Sequence, residues 1–296
     1  MSNTKFKRAR HSIIQFVKHS VNDKSYATQN SMRERLCKSA KDLHTLGYKI
    51  MNIKNIQSKH IEALTKYWMD QGLSVGSIKN RLSDFRLLAN KIERPGIIKE
   101  HNKDYGIPNR SYVPTQNKAI TEIYLDKFTD KYLRTSIELQ KEFGLRREEC
   151  LKIIPSKALH IDSYGNSYLT LDAAWTKGGV GRTIKIEKQS QLDAINKAIE
   201  LVSNKSLIPT DKTYIQQRKL YDRVTRLQGY YNLHGLRHAY AQKRYNEITG
   251  WASPIAGGPA RKNLTKEQKI LDKQARIWIS QELGHSRAEI TKNYIG

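Results

Sequence analysis

The sequence predicts an α+β protein, mainly helical, in which an all-helical N-terminal domain precedes a mixed domain with a small antiparallel sheet. Three observations carry this expectation. Apolar residues recur at helical spacing through the N-terminal third. The stretch from Arg94 to Gln116 holds three prolines and two glycines with no sustained period. Beyond it, alternating runs broken by glycine turns give way again to helical spacing. The expected domains are 1–110 and 115–296, each of ordinary size for a compact core.

In chain order, the first expected helix covers 25–46, where Met32, Leu36, Leu43 and Leu46 share a stripe and Gly47 stops it. The second covers 58–69 and ends at Gln71-Gly72. In GLSVGSIKNRLSDFRLLANKI, Ser74 or Ser77 can cap a helix whose Ile78, Leu82, Phe85, Leu88 and Ala89 form the apolar stripe. Its other face carries Lys79, Arg81 and Arg86. After the 94–116 linker come helices at 118–129 and 131–143. HIDSYGNSYLTL then reads as a hairpin turning at Tyr164-Gly165-Asn166. AAWTKGGVGRTIKIE repeats the pattern, with Gly178, Gly179 and Gly181 between a strand ending near Lys177 and one through Ile184 and Ile186. A sheet of about three strands follows from these runs. Helices resume near 188–203, 213–228 and 234–246, and again from 265 to the end.

Charge narrows the partner. Lys plus Arg number 53 against 28 Asp plus Glu, a formal +25 with pI near 9.9. Up to Arg110 there are 22 basic and 9 acidic residues, and after it 31 and 19, so both parts are basic. Such a chain seeks a polyanion, and phosphate neutralisation supplies most non-specific nucleic-acid affinity. On that ground Lys79, Arg81 and Arg86 are assigned to phosphate contact rather than to a merely solvated face. Cys37 and Cys150 are far apart with no metal-like spacing, which suggests neither a disulfide framework nor a zinc site and fits a reducing compartment. No segment has the apolar run of a signal peptide or a membrane span, so a soluble, cytoplasmic, nucleoid-associated protein is expected. TKGGVG lacks the layout of a nucleotide-binding P-loop.

Five pieces of the second domain carry chemistry: FGLRREE, WTKGG, HGLRH, LGHS, and Tyr294 nine residues after His285. His234 and His238, at i and i+4, could face one metal, but the Glu that a zinc protease places after the first His is here Gly235, and no third ligand is evident. No metal is therefore expected. Taken in order, the pieces resemble the tyrosine recombinases, the phage-integrase-like site-specific recombinases, over about 115–296. The first domain, most clearly GLSVGSIKNRLSDFRLL, is similar to that family's helical core-binding, DNA-clamping domain. The resemblance implies that Arg146 is the first catalytic arginine with Glu149 as its supporting acid, that Lys177 is the catalytic lysine, and that His234, Arg237, His285 and Tyr294 complete the set.

The chemistry explains the residue types. A phosphodiester gathers negative charge as a nucleophile adds, and the guanidiniums of Arg146 and Arg237 stay charged and bond bidentately. Tyr294 must lose its proton as it attacks, and a neutral imidazole suits as acceptor. That assigns His234 as base and His285 as a second oxygen ligand, with Lys177, by resemblance, protonating the departing 5′ oxygen. A 3′-phosphotyrosine conserves the bond energy, so rejoining needs no ATP and no cofactor. The expected function is integration or excision of a mobile element by a homotetramer on two double-stranded DNA duplexes, with possible accessory directionality or bending factors. A type IB topoisomerase of the same chemistry and a catalytically silent DNA-binding regulator of the same fold are the alternatives.

Two features depart from the family pattern. Arg237 and His285 are 48 residues apart, and the excess falls in an insertion around 247–265, open to reading as a surface loop or a DNA or partner contact. Only Ile295 and Gly296 follow Tyr294, where family members commonly carry a tail that docks on a neighbour. With so few residues before Ser25, binding to a simple core site, without an extra arm-binding domain, is the expectation.

Overall fold

The computed structural model describes residues 2–111, 113–285 and 287–296. Two compact units divide the chain, Met1–Ser111 and Tyr112–Gly296. The protein is mainly helical with one small sheet, as the sequence leads one to expect.

The first unit is built from α1 (Ser2–Ser20), α2 (Tyr26–Thr45), α3 (Ser58–Asp70) and α4 (Val75–Lys91). Ser25 and Ser74 cap α2 and α4, each accepting from the backbone N–H three residues on. The helices expected from sequence start at Ser25 and leave out α1. Its Ala9, Ile13, Phe16 and Val17 nevertheless form a buried stripe at helical spacing. The segment from Arg94 is more than a linker. Ile97, Ile98 and Ile107 are buried in the first core, on either side of a short 3-10 turn at Asn102–Tyr105.

The assignment of Arg81 to an exposed basic face is corrected. Its side chain is 7% exposed, donates to Asp42 at 2.9 Å and lies 4.7 Å over the Trp68 ring. Trp68 Nε1 donates to the same carboxylate oxygen at 2.9 Å. In the opposite sense, Arg35 of α2 grips Asp84 of α4 with bonds of 2.6 and 2.8 Å. These crossed pairs staple α2 to α4, so the charge at Arg81 is spent within the unit. Arg86 is also engaged, donating to the Lys99 carbonyl and, at 3.0 Å, to Asn102. Lys79 is half-buried beside a shallow depression shared with Glu100 and Lys103.

The second unit begins with extended chain where a helix at 118–129 was expected; only a 3-10 turn, Leu125–Lys127, forms there. The reason is tertiary: Ile120 N–H donates to the Gly235 carbonyl at 3.0 Å, and the strand-like segment packs on a later helix. Then come α5 (Lys131–Phe143), α6 (Arg147–Lys152) and α7 (Pro155–Ala158). The sheet has strands β1 (Leu159–Ile161), β2 (Ser167–Leu171) and β3 (Arg182–Lys185) in order 1-2-3, all antiparallel. β2 stops at Leu171, short of the expected end near Lys177, because Asp172 caps a 3-10 turn at Ala173–Trp175. Helices α8 (Gln189–Val202), α9 (Tyr214–Leu227), α10 (His234–Thr249) and α11 (Lys266–Glu282) follow. The expected final helix is broken: Gly284 takes φ 63°, a 3-10 turn covers Ala288–Thr291, and α12 is Lys292–Ile295. Among the described residues no helix is long and apolar enough to cross a membrane.

Candidate active site

The site in the second unit starts at Gly144. This glycine ends α5 with φ 60°, and a Cβ there would lie 2.6 Å from the Tyr240 ring. Only glycine meets both demands. The turn delivers Arg146 to the N-terminus of α6, where the Glu149 carboxylate accepts its backbone N–H at 2.8 Å and its Nη1 at 2.6 Å. Arg182 of β3 grips the same carboxylate from the other side, at 3.0 and 2.7 Å. Burial alone would raise the Glu149 carboxyl, but the Arg182 bonds and charge, helped by Arg146, bring it down to about 2.

Arg237, one turn into α10, is fully buried. Nη1 donates to the Gly144 carbonyl at 2.6 Å, Nη2 to the Leu283 carbonyl, and Nη2 also lies 3.3 Å from His285 Nε2. Nε is directed at the Tyr294 hydroxyl at 3.4 Å. One guanidinium thus ties the end of α5, the turn after α11 and α12 together. Burial, then the Arg146 charge, pushes it down to about 10, which leaves it charged near neutrality.

His234 opens α10, and the glycine behind it has a packing role. A Cβ at Gly235 would lie 2.5 Å from Ile120 Cγ1 and 2.7 Å from the Lys118 carbonyl. The departure from a zinc-protease motif therefore marks where extended chain presses on the helix. Among the described residues no group of three His, Cys, Asp or Glu could hold a metal ion.

Tyr294 is 7% exposed. Its hydroxyl lies 3.4 Å from His234 Nε2, its ring stacks on His285 at 5.3 Å, and His238 is 4.6 Å away. Burial first, and then neighbouring positive charge, lowers all three imidazoles: His234 and His238 to about 4, His285 to about 3. Near neutral pH they are uncharged, and His234 Nε2, facing the Tyr294 hydroxyl, can accept a proton. The Tyr294 bonds are long, as they commonly are before substrate tightens them.

Lys177 sits exposed in the loop between β2 and β3, on the wall of a cleft of about 470 Å³ that Arg146, Arg147, Tyr231 and His234 also line. The structure therefore gathers Arg146, Glu149, Lys177, His234, Arg237, His285 and Tyr294 in one unit. Lys79, Arg81 and Arg86 lie in the other. Sequence reasoning missed Arg182, His238 as a neighbour of the tyrosine, and Gln242, whose Nε2 donates to the Tyr294 carbonyl at 3.0 Å. Arg182 stood inside the quoted glycine-rich run, but an arginine opening a short strand carries no sequence signal of burial.

One family comparison falls in each unit, and the one in the second unit stops before α11, His285 and Tyr294. Residues 110–243 match the integrase family, and residues 10–94 match the family of phage integrase N-terminal domains. The chain belongs to the phage-integrase family of tyrosine recombinases. This integrase shares its fold with lambda integrase, solved as a dimer on a COC′ core site: 15% identity, TM-score 0.60, covering 97% of this chain and 77% of that one. Its fold is also similar to that of the Tn1549 transposon integrase bound to circular intermediate DNA, at 15% identity and TM-score 0.51, covering 96% and 95%. A lambda integrase tetramer on a Holliday junction matches at 15% identity and TM-score 0.53, covering 94% and 77%. A search of curated proteins found no match.

The segment around 247–265 packs on the end of the chain. Its 3-10 turn, Pro254–Ala256, lies against the end of the chain, where a Cβ on Gly296 would meet Ile255 N at 3.0 Å. Arg276 donates to the Gly296 carbonyl at 2.8 Å and to buried Asp272 at 2.8 Å, and Tyr245 donates to Asp272 at 2.7 Å. The loop and this network hold α12, and with it Tyr294, from behind.

Proposed function

We propose that this integrase cuts and rejoins double-stranded DNA at specific sites through a 3′-phosphotyrosine on Tyr294, in the integration or excision of a mobile element. The observation that carries the reading is the Tyr294 hydroxyl, 3.4 Å from both Arg237 Nε and His234 Nε2. A phenol between a charged guanidinium and a neutral imidazole has an electrophile's counter-charge on one side and a proton acceptor on the other.

Tyr294 Oη attacks phosphorus, a P–O(Tyr) bond forms, and the bond to the 5′ oxygen breaks. With its own proton on Nδ1, His234 takes the phenol proton at Nε2. Lys177 supplies a proton to the leaving 5′ oxygen, which departs as a hydroxyl. Arg146, Arg237 and His285 bind the non-bridging oxygens, and Glu149 fixes Arg146. The same steps run backwards from a second 5′ hydroxyl complete strand exchange. The helices of the first unit clamp the duplex, with Lys79 and Arg86 as phosphate contacts; Arg81 is left out because Asp42 holds it. The lambda integrase tetramer on a Holliday junction supports a tetrameric assembly on two duplexes.

A nicked suicide substrate provides the test. Wild-type protein should form a DNA adduct whose linked peptide carries Tyr294, and Tyr294→Phe should form none while binding the same DNA. A link to any other residue, or relaxation of supercoiled DNA without two-site exchange, refutes the proposal.

A further inference from the structure

We propose that Arg182 is a positioning residue for this reaction: it holds Glu149 so that the Arg146 guanidinium stays aimed into the cleft with its charge available to phosphate. The inference rests on the reaction proposed above and assigns a part in it to a residue outside the family pattern read from the sequence.

The geometry is that of a three-way junction. Arg182 places both terminal nitrogens on the Glu149 carboxylate, at 3.0 and 2.7 Å, and its Nε on the Glu282 carbonyl at 2.6 Å. It thereby joins the strand just after the Lys177 loop, the helix headed by Arg146, and the turn that leads to His285. The side chain is 6% exposed and Glu149 is fully buried, so neither can be re-partnered by water. Room for Arg182 is made by Gly284. With φ 63°, that residue would put a Cβ 2.8 Å from Arg182 Cδ and 3.0 Å from its Nη1.

Charge accounting gives the arrangement its purpose. If Glu149 faced Arg146 alone, the pair would be neutral and Arg146 would hold little attraction for phosphate. Two guanidiniums on one carboxylate leave a net positive charge, and Arg146, at 23% side-chain exposure, is the member that reaches solvent. Arg146 Nη2 also approaches the Gly284 carbonyl at 3.4 Å, so the turn that Arg182 anchors is a second restraint on the same group. A lysine at 182 would keep the charge but could not span two carboxylate oxygens and a carbonyl with a planar fork.

The experiment compares wild type, Arg182→Lys, Arg182→Met and Arg182→Met with Glu149→Gln. Single-turnover cleavage at saturating suicide DNA is measured beside Kd for the same DNA and the melting temperature. Arg182→Met should slow cleavage about 10²-fold, as expected for a misaligned reacting group, with Kd nearly unchanged. Arg182→Lys should fall between. Adding Glu149→Gln to Arg182→Met should recover rate, because it frees the Arg146 charge that Glu149 alone would neutralise through their 2.6 Å contact; a rise in melting temperature without a gain in rate would mark the defect as merely structural. Wild-type cleavage by Arg182→Met, a Kd that worsens in step with the rate, or a double variant no faster than Arg182→Met would each overturn the assignment. Should Arg182→Met not fold, Arg182→Lys decides: a rate loss at constant Kd supports the role and a wild-type rate refutes it. Failure of the wild type to form any adduct would instead sink the recombination chemistry itself.

Discussion

Acid should strip this active site of its neutral imidazoles, and at an unusually low pH. His234, His238 and His285 surround Tyr294 and are lowered from 6.5 to about 4, about 4 and about 3. Since the folded value lies below the unfolded one, their contribution to stability is present above pH 6.5. It is lost as pH falls through about 4. Moving one imidazole from 6.5 to about 4 corresponds to about 3 kcal/mol. His234 and His285 are only half-buried, so solvent screening reduces this to about 1–2 kcal/mol each. The rings also share Arg237 and one another as neighbours, so a combined loss of about 3 kcal/mol between pH 7 and 4.5 is expected rather than a simple sum. Imidazole NMR titration reads the three sites directly, and urea unfolding at several pH values reads the stability. His234→Asn should flatten the acid limb by about 1 kcal/mol. A resonance from any of the three titrating near 6.5 would refute the reasoning, as would an acid limb unchanged in His234→Asn.

Other consequences follow from the same geometry. Lys177→Ala should block cleavage of an ordinary phosphodiester but cut a substrate whose leaving 5′ oxygen is replaced by sulfur, because a thiolate leaves without a proton; equal loss on both substrates would move the lysine to a binding role. Gly235→Ala puts a Cβ 2.5 Å from Ile120 and should cost about 1–3 kcal/mol of stability by chemical denaturation, and a neutral outcome would show that the 117–120 segment yields freely. Lys79→Ala with Arg86→Ala should weaken DNA binding and flatten its salt dependence, measured by fluorescence anisotropy. Arg81→Ala should instead lower the melting temperature, since it leaves Asp42 with fewer partners beside Trp68.

The network behind α12 gives a last contrast. Arg276→Ala would leave buried Asp272 poorly compensated and free the Gly296 carbonyl, so it should reduce adduct yield more than DNA affinity. An adduct yield equal to wild type would show that Tyr294 needs no support from behind.

Local chemistry made much of this protein legible before any coordinates. Periodicity marked α2, α3 and α4 to within a residue or two, because amphipathic stripes and serine caps are written in short windows. The three-strand sheet followed from alternation and glycine turns. The residues Arg146, Glu149, Lys177, His234, Arg237, His285 and Tyr294 could be proposed because short pieces of sequence, in order, resemble the tyrosine recombinases. What sequence could not express is where a charge goes. Arg81, Arg182 and Lys79 look alike in a string of letters, yet Asp42 and Trp68 bury the first, Glu149 claims the second, and the third stays half-exposed. Residues 118–129 likewise read as helix until Gly235 offered Ile120 a backbone partner. Desolvation and long-range pairing decide such cases, and both depend on residues that are distant in the chain and meet only when it folds.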